Sequence, residues 1–150
     1  MDFDSKIFVA GHRGLVGSAI IRKLNDLGYT NILAVPKDVV DLTDQEAVNC
    51  FFKVKKPEYV FLAAAKVGGI GYNKEYPADF IRENLQIQTN VIDAAHRNGC
   101  KKLLFLGSAC IYPKYAPVPI KEASLMTGFL EQTNSAYSLA KIAGYMMCKK

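Results

Sequence analysis

Nowhere in the 150 residues does an apolar run approach the length of a membrane span, and the apolar stretch after Lys6 is too short for a secretory leader. A soluble, cytoplasmic protein without membrane contact is expected. Cysteine is sparse and scattered: Cys50, Cys100, Cys110 and Cys148 form neither a C-x-x-C pair nor a cluster with histidine at metal-ligand spacing. That pattern argues against a zinc module and favours reduced thiols over disulfides, so no metal is expected. Internal repeats, linkers and low-complexity segments are also missing. With 50% hydrophobic and 22% charged residues the composition is that of an ordinary folded chain, with room for one domain over residues 1–150. The net charge of +5 comes from dispersed lysines, among them Lys55-Lys56, Lys101-Lys102 and Lys149-Lys150. No basic helix face or aromatic-basic array accompanies them, so nucleic acid is not an expected partner. The excess charge suits a solvated surface, or attraction of an anionic small molecule.

The pattern that is present alternates strands with helices. Ile7 to Ala10 reads as a strand feeding the turn Gly11-His-Arg-Gly14-Leu-Val-Gly17, after which Leu15, Val16, Ala19, Ile20, Leu24 and Leu27 recur at helical spacing. Gly28 stands where that helix would end. Ile32 to Val35 predicts a second strand stopped by Pro36, and Thr43-Asp-Gln-Glu46 is a capping-box pattern for a helix reaching about Val54. Tyr59 to Ala65 predicts a buried third strand, followed by a mobile loop over Lys66 to Gly71. A long helix from Pro77 to about Asn98, closed by Gly99, precedes a fourth strand over Leu103 to Leu106. A proline-containing loop leads to a last helix from about Ser135 to the end. This order predicts an α/β protein with a doubly wound parallel sheet and right-handed crossovers.

Such sheets hold ligands beyond the carboxyl ends of their strands. The glycine triplet after the first strand is the arrangement that cradles a dinucleotide: Gly11 for the tight turn, Gly14 for approach of a pyrophosphate, Gly17 for close packing of the helix. Tyr137 and Lys141 lie one helical turn apart. A lysine cation beside a phenol favours phenolate, lowering its ordinary value of about 10. A phenol so placed can exchange a proton with the oxygen of a carbonyl undergoing reduction. Ser108, just past the fourth strand, can donate a hydrogen bond to the same oxygen. At the end of the second strand, Val35-Pro36-Lys37 offers a cation where NAD-binding sheets commonly carry an acid, so Lys37 with Arg13 favours NADP over NAD. Asp38 is the competing acceptor for a ribose.

Six segments carry a resemblance: Gly11 to Ala19, Phe61 to Ile70, Glu83 to Asn90, Lys102 to Gly107, Cys110 to Lys114 and Tyr137 to Gly144. Together they resemble the GDP-L-fucose synthases of the extended short-chain dehydrogenase/reductase superfamily, over nearly all of the chain. The resemblance implies a Rossmann-like NADP-binding domain and a two-stage reaction on GDP-4-keto-6-deoxy-D-mannose. In it, C3 and C5 are epimerised and the C4 ketone is then reduced by NADPH to give GDP-L-fucose. It implies Cys110 as the base at C3 and C5, and Ser108, Tyr137 and Lys141 as the reductase residues. It further implies that Gly11, His12, Arg13, Gly14, Leu15, Val16 and Gly17, with Asp41, Leu42, Ala63, Ala64, Ala65 and Gly107, line the NADP(H) site beside Lys37, Tyr137 and Lys141. Asp41 would address the adenine, and the helix from Pro77 would serve a homodimer.

The acid histidine that the resemblance implies lies beyond Lys141, whereas the two histidines present are His12 and His96. With the sequence stopping at Lys150, the substrate lobe of such enzymes is not expected within this chain. Two other readings therefore stay open: a catalytically silent NADP(H)-binding module, and another nucleotide-sugar epimerase of the same superfamily.

Overall fold

A computed structural model describes residues 1–149; the last residue of the expected final helix, Lys150, lies outside the described residues. The elements in chain order are β1 (Ile7–Ala10), α1 (Leu15–Asp26), β2 (Ile32–Leu33), α2 (Gln45–Lys55), β3 (Tyr59–Leu62), α3 (Ile70–Glu75), α4 (Pro77–Arg97), β4 (Lys102–Phe105) and α5 (Ser135–Lys149). The chain divides into two compact units. The first comprises Met1–Ala65 and Gln86–Leu106, and the second Lys66–Leu85 and the residues from Gly107 on.

Among the described residues, the first unit contains one parallel sheet in the order β2-β1-β3-β4. The expected doubly wound architecture is therefore present: the chain moves from β1 to β2 on one side, then returns past β1 to lay down β3 and β4 on the other. Ile7 pairs with both Ile32 and Tyr59, and Tyr59 in turn with Lys102. β1 is buried along its whole length, as a central strand covered on both faces must be. Phe8 packs against Phe51 and Phe52 of α2 with ring centroids 4.7 and 5.8 Å away.

Two helix ends follow directly from glycine. After α1, Gly28 at φ +87° lets its own N–H reach Asn25 O and that of Tyr29 reach Leu24 O. After α4, Gly99 at φ +71° lets Cys100 N–H reach Ala95 O. Both are left-handed closures that satisfy carbonyls the helix leaves open.

Several expected boundaries shift. β2 stops at Leu33 instead of Val35, because the chain leaves the sheet for a turn in which Pro36 O accepts from Val39 N and Val40 N. β3 stops at Leu62 instead of Ala65, although Ala63 N still donates to Ala10 O. α2 is capped by Asp44 and not Thr43: the Asp44 carboxylate accepts from Glu46 N and Ala47 N, while Thr43 turns to Asp41. In α1 the apolar stripe is only partly inward. Leu24 is buried, but Leu15 is 88% exposed and Val16 and Leu27 are about half exposed. Leu15 and Val16 form the first turn of α1.

In the second unit the loop expected to be mobile is tied down. Asn84, 2% exposed in α4, accepts from Lys66 N at 2.9 Å and donates to Lys66 O at 2.9 Å, and Lys66 Nζ lies 2.6 Å from Glu83 Oε1. Asn73 of α3 donates to Gly68 O and Gly69 O. The loop after Pro113 is pinned at its mouth by Lys114, which donates its N–H to Phe129 O and its Nζ to Glu131.

Candidate active site

In the first unit, the turn between β1 and α1 is built by backbone crowding. Gly11 sits at φ +82°, and a Cβ there would fall 2.6 Å from Ala64 N. At Gly17 a Cβ would fall 2.1 Å from Gly11 O, so the helix rests directly on the turn and not merely against the sheet. Gly14 differs. A Cβ there would meet only Gly11 O, at 3.3 Å, which leaves its outer side open. Gly14 is the N-cap of α1 and supplies no side-chain cap, so the first amides of a 12-residue helix, from Leu15, Val16 and Gly17, are presented with the positive end of the helix dipole. Open space and uncapped amides are what a pyrophosphate requires. Ala63 and Ala64 pass immediately beneath Gly11, with Ala65 next along the chain.

His12 is half-buried beside this turn and Arg13 is exposed. Lys37 is also exposed, at 74%, with its Nζ 3.5 Å from Asp41 Oδ2. Asp41 Oδ1 accepts from Thr43 N at 2.9 Å and Thr43 Oγ1 at 2.8 Å. The Thr43 amide, and then the Thr43 hydroxyl and Lys37, hold the Asp41 carboxyl below its ordinary value against the opposing effect of burial. Leu42 is held through its carbonyl, which accepts from Asn90 Nδ2 of α4 at 3.0 Å.

In the second unit the catalytic candidates converge. Ser108 caps the 3-10 turn Ala109–Ile111, its Oγ accepting from Cys110 N at 3.3 Å. The same hydroxyl draws the pKa of the Tyr137 phenol down. Asn134 Nδ2 lies 3.1 Å from Cys110 Sγ. Lys141 is 4% exposed, with its Nζ 5.9 Å from the centre of the Tyr137 ring. Ser108, Cys110, Tyr137 and Lys141 are thus gathered by one strand exit and one helix, α5. Gly107, at that exit, is exposed, with open space where a side chain would stand.

The electrostatics correct the expectation of a lowered Tyr137. Burial pushes its phenol above the ordinary value, the Ser108 hydroxyl pulls down against it, and Cys110 adds to the rise. Lys141 does not offset this, because burial lowers the lysine itself to about 8. Desolvation therefore dominates at both residues.

The sequence does not single out Asn84, Asn90 or Asn134, yet Asn90 and Asn134 hold the candidates Leu42 and Cys110, and Asn84 holds the loop that follows Ala65. A mid-helix asparagine is a poor helix former, and that is the signal that could have marked Asn84 and Asn90. Among the described residues, no group of three acidic, histidine or cysteine side chains could hold a metal ion, and no helix is long and apolar enough to cross a membrane.

The chain is 62% identical over 149 residues to a putative GDP-L-fucose synthase 2 from Arabidopsis thaliana, covering 99% of this chain and 45% of that protein. It spans about half the length of the curated relatives it matches. Among solved structures it matches a GDP-mannoheptose C4 reductase from Campylobacter jejuni with NADP bound, at TM-score 0.96 and 45% identity, over 99% of this chain and 44% of that one. A GDP-L-fucose synthetase from Naegleria fowleri bound to NADP matches at TM-score 0.88 and 28% identity, over 98% and 47%. Both the crossover at β1 and the Ser108, Tyr137 and Lys141 group fall inside residues 7–150, which match the model of the NAD dependent epimerase/dehydratase family, and to that family the chain belongs.

Proposed function

We propose that this chain is the NADP-binding and catalytic portion of a GDP-L-fucose synthase, acting on GDP-4-keto-6-deoxy-D-mannose. The observation that carries the reading is the grouping of Cys110 with Ser108 and Tyr137. The Cys110 backbone amide donates to Ser108 Oγ, and Ser108 and Cys110 both act on the pKa of the Tyr137 phenol, so a thiol is grouped with a serine and a tyrosine suited to carbonyl reduction. The 62% identity to a putative GDP-L-fucose synthase supports it.

On this reading Cys110, as thiolate, accepts a proton from C3 or C5, both acidified by the C4 ketone. The electron pair left behind is held as an enolate whose oxygen takes hydrogen bonds from Ser108 and Tyr137. Return of a proton to the opposite face, from the acid histidine that the resemblance implies, completes each epimerisation with no net oxidation. In the second stage Tyr137 gives its proton to the C4 oxygen, and its raised pKa keeps that proton available at neutral pH. NADPH, when bound, supplies the hydride that C4 requires. Gly11, Gly14 and Gly17 and the uncapped amides of α1 would hold its pyrophosphate, and Arg13 and Lys37 a ribose phosphate. Asp41 and Leu42 would flank the adenine, and Ala63 to Ala65 and Gly107 the remainder. We also assign α4 to a homodimer interface and the protein to the cytoplasm.

The test is incubation of the purified chain with NADPH and GDP-4-keto-6-deoxy-D-mannose, following NADPH consumption and GDP-L-fucose formation together. Both are expected. NADPH binding without turnover would leave the chain as a cofactor-binding module. Reduction without proton exchange at C3 and C5 would favour a simple C4 reductase, the alternative to which the Campylobacter jejuni enzyme gives weight.

A further inference from the structure

We infer that Asn134 is a positioning residue for Cys110, donating an amide N–H that holds the sulfur as thiolate; the inference rests on the reading of Cys110 as the base. Asn134 ends the 3-10 turn Gln132–Asn134, which leads straight into α5. Its Nδ2 is 3.1 Å from Cys110 Sγ. The other end of the amide faces Ser138, one turn along α5 and fully buried, whose Oγ lies 3.1 Å from Asn134 O and 3.4 Å from Asn134 Oδ1. With the Ser138 hydroxyl shared between those two oxygens, the amide is turned so that its NH2 remains for the sulfur. The reverse orientation would bring a carbonyl oxygen against Cys110, which could accept from a neutral thiol but would repel a thiolate. The backbone side of the cysteine is pinned independently, through Cys110 N on Ser108 Oγ at 3.3 Å. Two anchors, one on each side of the residue, therefore set where the sulfur stands and which protonation state suits it.

A hydrogen bond to an ionised partner is stronger than one to a neutral partner, so its removal falls mainly on the thiolate. The reactivity of a cysteine toward alkylation follows its thiolate fraction. Iodoacetamide is therefore applied to the chain near neutral pH, and alkylation rates at Cys110 and Cys50 are read from their peptides by mass spectrometry. Cys50 is exposed and serves as the reference. Cys100, whose thiol burial pushes up and whose Sγ is tied to Glu58 O and Lys102 O, reports an intact sheet by staying slow. Circular dichroism reports the helices.

In the wild type, Cys110 is expected to react faster than Cys50. In Asn134→Ala the Cys110 to Cys50 ratio falls about tenfold, the scale of a charged hydrogen bond, and in Asn134→Asp it falls further because an anion replaces the donor. Ser138→Ala keeps Asn134 but frees its amide to turn, and gives a smaller fall; it carries the test if Asn134→Ala loses its helical signal. The ultraviolet absorbance of the thiolate, taken as the difference from Cys110→Ser, diminishes in the same order. A ratio unchanged or raised in a folded Asn134→Asp overturns the role of Asn134 while leaving Cys110 as the base. A wild-type Cys110 no faster than Cys50 overturns the base itself, and the inference with it.

Discussion

Replacing Gly17 by alanine places a methyl carbon 2.1 Å from Gly11 O, 2.7 Å from Gly11 C and 2.9 Å from His12 Cα. All three are backbone atoms, and none can swing aside as a side chain could. Nor can the turn retreat, since Gly11 is itself pressed toward Ala64 at φ +82°. Two effects oppose each other. Alanine is the better helix former by about 1 kcal/mol, whereas an added carbon in a closed space costs about 1–3 kcal/mol. A contact this short lies at the upper end of that range, so the net expectation is a loss of about 1–2 kcal/mol, or roughly 2–8 °C in melting temperature for a chain of this size. Gly14→Ala is the control from the same loop. Its methyl would meet only Gly11 O at 3.3 Å, so stability should change by less than about 1 kcal/mol. NADPH affinity, by contrast, should fall sharply, because the methyl stands where a phosphate must approach the backbone. Thermal unfolding by circular dichroism gives the first comparison and NADPH fluorescence titration the second. Gly17→Ala melting with the wild type, or Gly14→Ala melting as low as Gly17→Ala, would refute the packing argument.

Arg13→Ala should weaken NADPH binding much more than NADH binding, and equal losses would remove Arg13 from recognition of the 2′-phosphate. Cys110→Ser should stop deuterium exchange at C3 and C5 while sparing cofactor binding, whereas Tyr137→Phe should stop hydride transfer; normal exchange or normal reduction would remove the respective role. Lys141, held at about 8 by burial, loses its proton first in the folded chain. Between pH 8 and about 10 the unfolded chain then binds more protons, so this residue's contribution to stability rises with pH, by about 2 kcal/mol. The unfolding free energy of the wild type minus that of Lys141→Met should grow over that window in urea titrations, and a flat difference would deny the burial effect. Asp44→Ala should lower stability by about 1 kcal/mol through loss of the cap on α2, with Thr43→Ala lowering it less; the reverse order would return the cap to Thr43.

What could be read from the sequence was whatever depends on short-range patterns. Ile7 to Ala10 announces a central strand because every residue is apolar, and Gly28 and Gly99 announce helix ends because only a left-handed residue closes a helix that way. The candidate groups were legible for the same reason, since Gly11 to Gly17, Ser108-Ala-Cys110 and Tyr137-x-x-x-Lys141 are local spacings with a chemical meaning. Illegible were the features decided by partners distant in sequence. Asp44 caps α2 because Asp41 has already taken Thr43, a competition that the capping-box pattern cannot display. Leu15 and Val16 match the helical stripe, yet both stand in the first turn of α1 and are exposed. The loop after Ala65 reads as mobile from its glycines, but Asn84, 18 residues away, brackets Lys66 on both its N–H and its carbonyl. The pKa of Tyr137 went the opposite way because burial, a property of the whole fold, outweighed the neighbouring lysine that the sequence displays.

The coupling of Cys110 to Tyr137 gives the proposed chemistry an internal order. Proton abstraction needs a sulfur that is negative before substrate carbanion forms, and reduction needs a phenol that still holds its proton. Ser108 acts on both, accepting from Cys110 N and drawing the pKa of the phenol down. While the sulfur is charged, its field adds to burial in keeping Tyr137 protonated. Once the sulfur has taken a proton that contribution vanishes, and the phenol becomes the stronger acid of two states that differ only at Cys110. On the proposed reading, the charge that would make the cysteine a base would also restrain the tyrosine from acting early. Burial acts on Lys141 as well, lowering it to about 8, with its Nζ 5.9 Å from the centre of the Tyr137 ring.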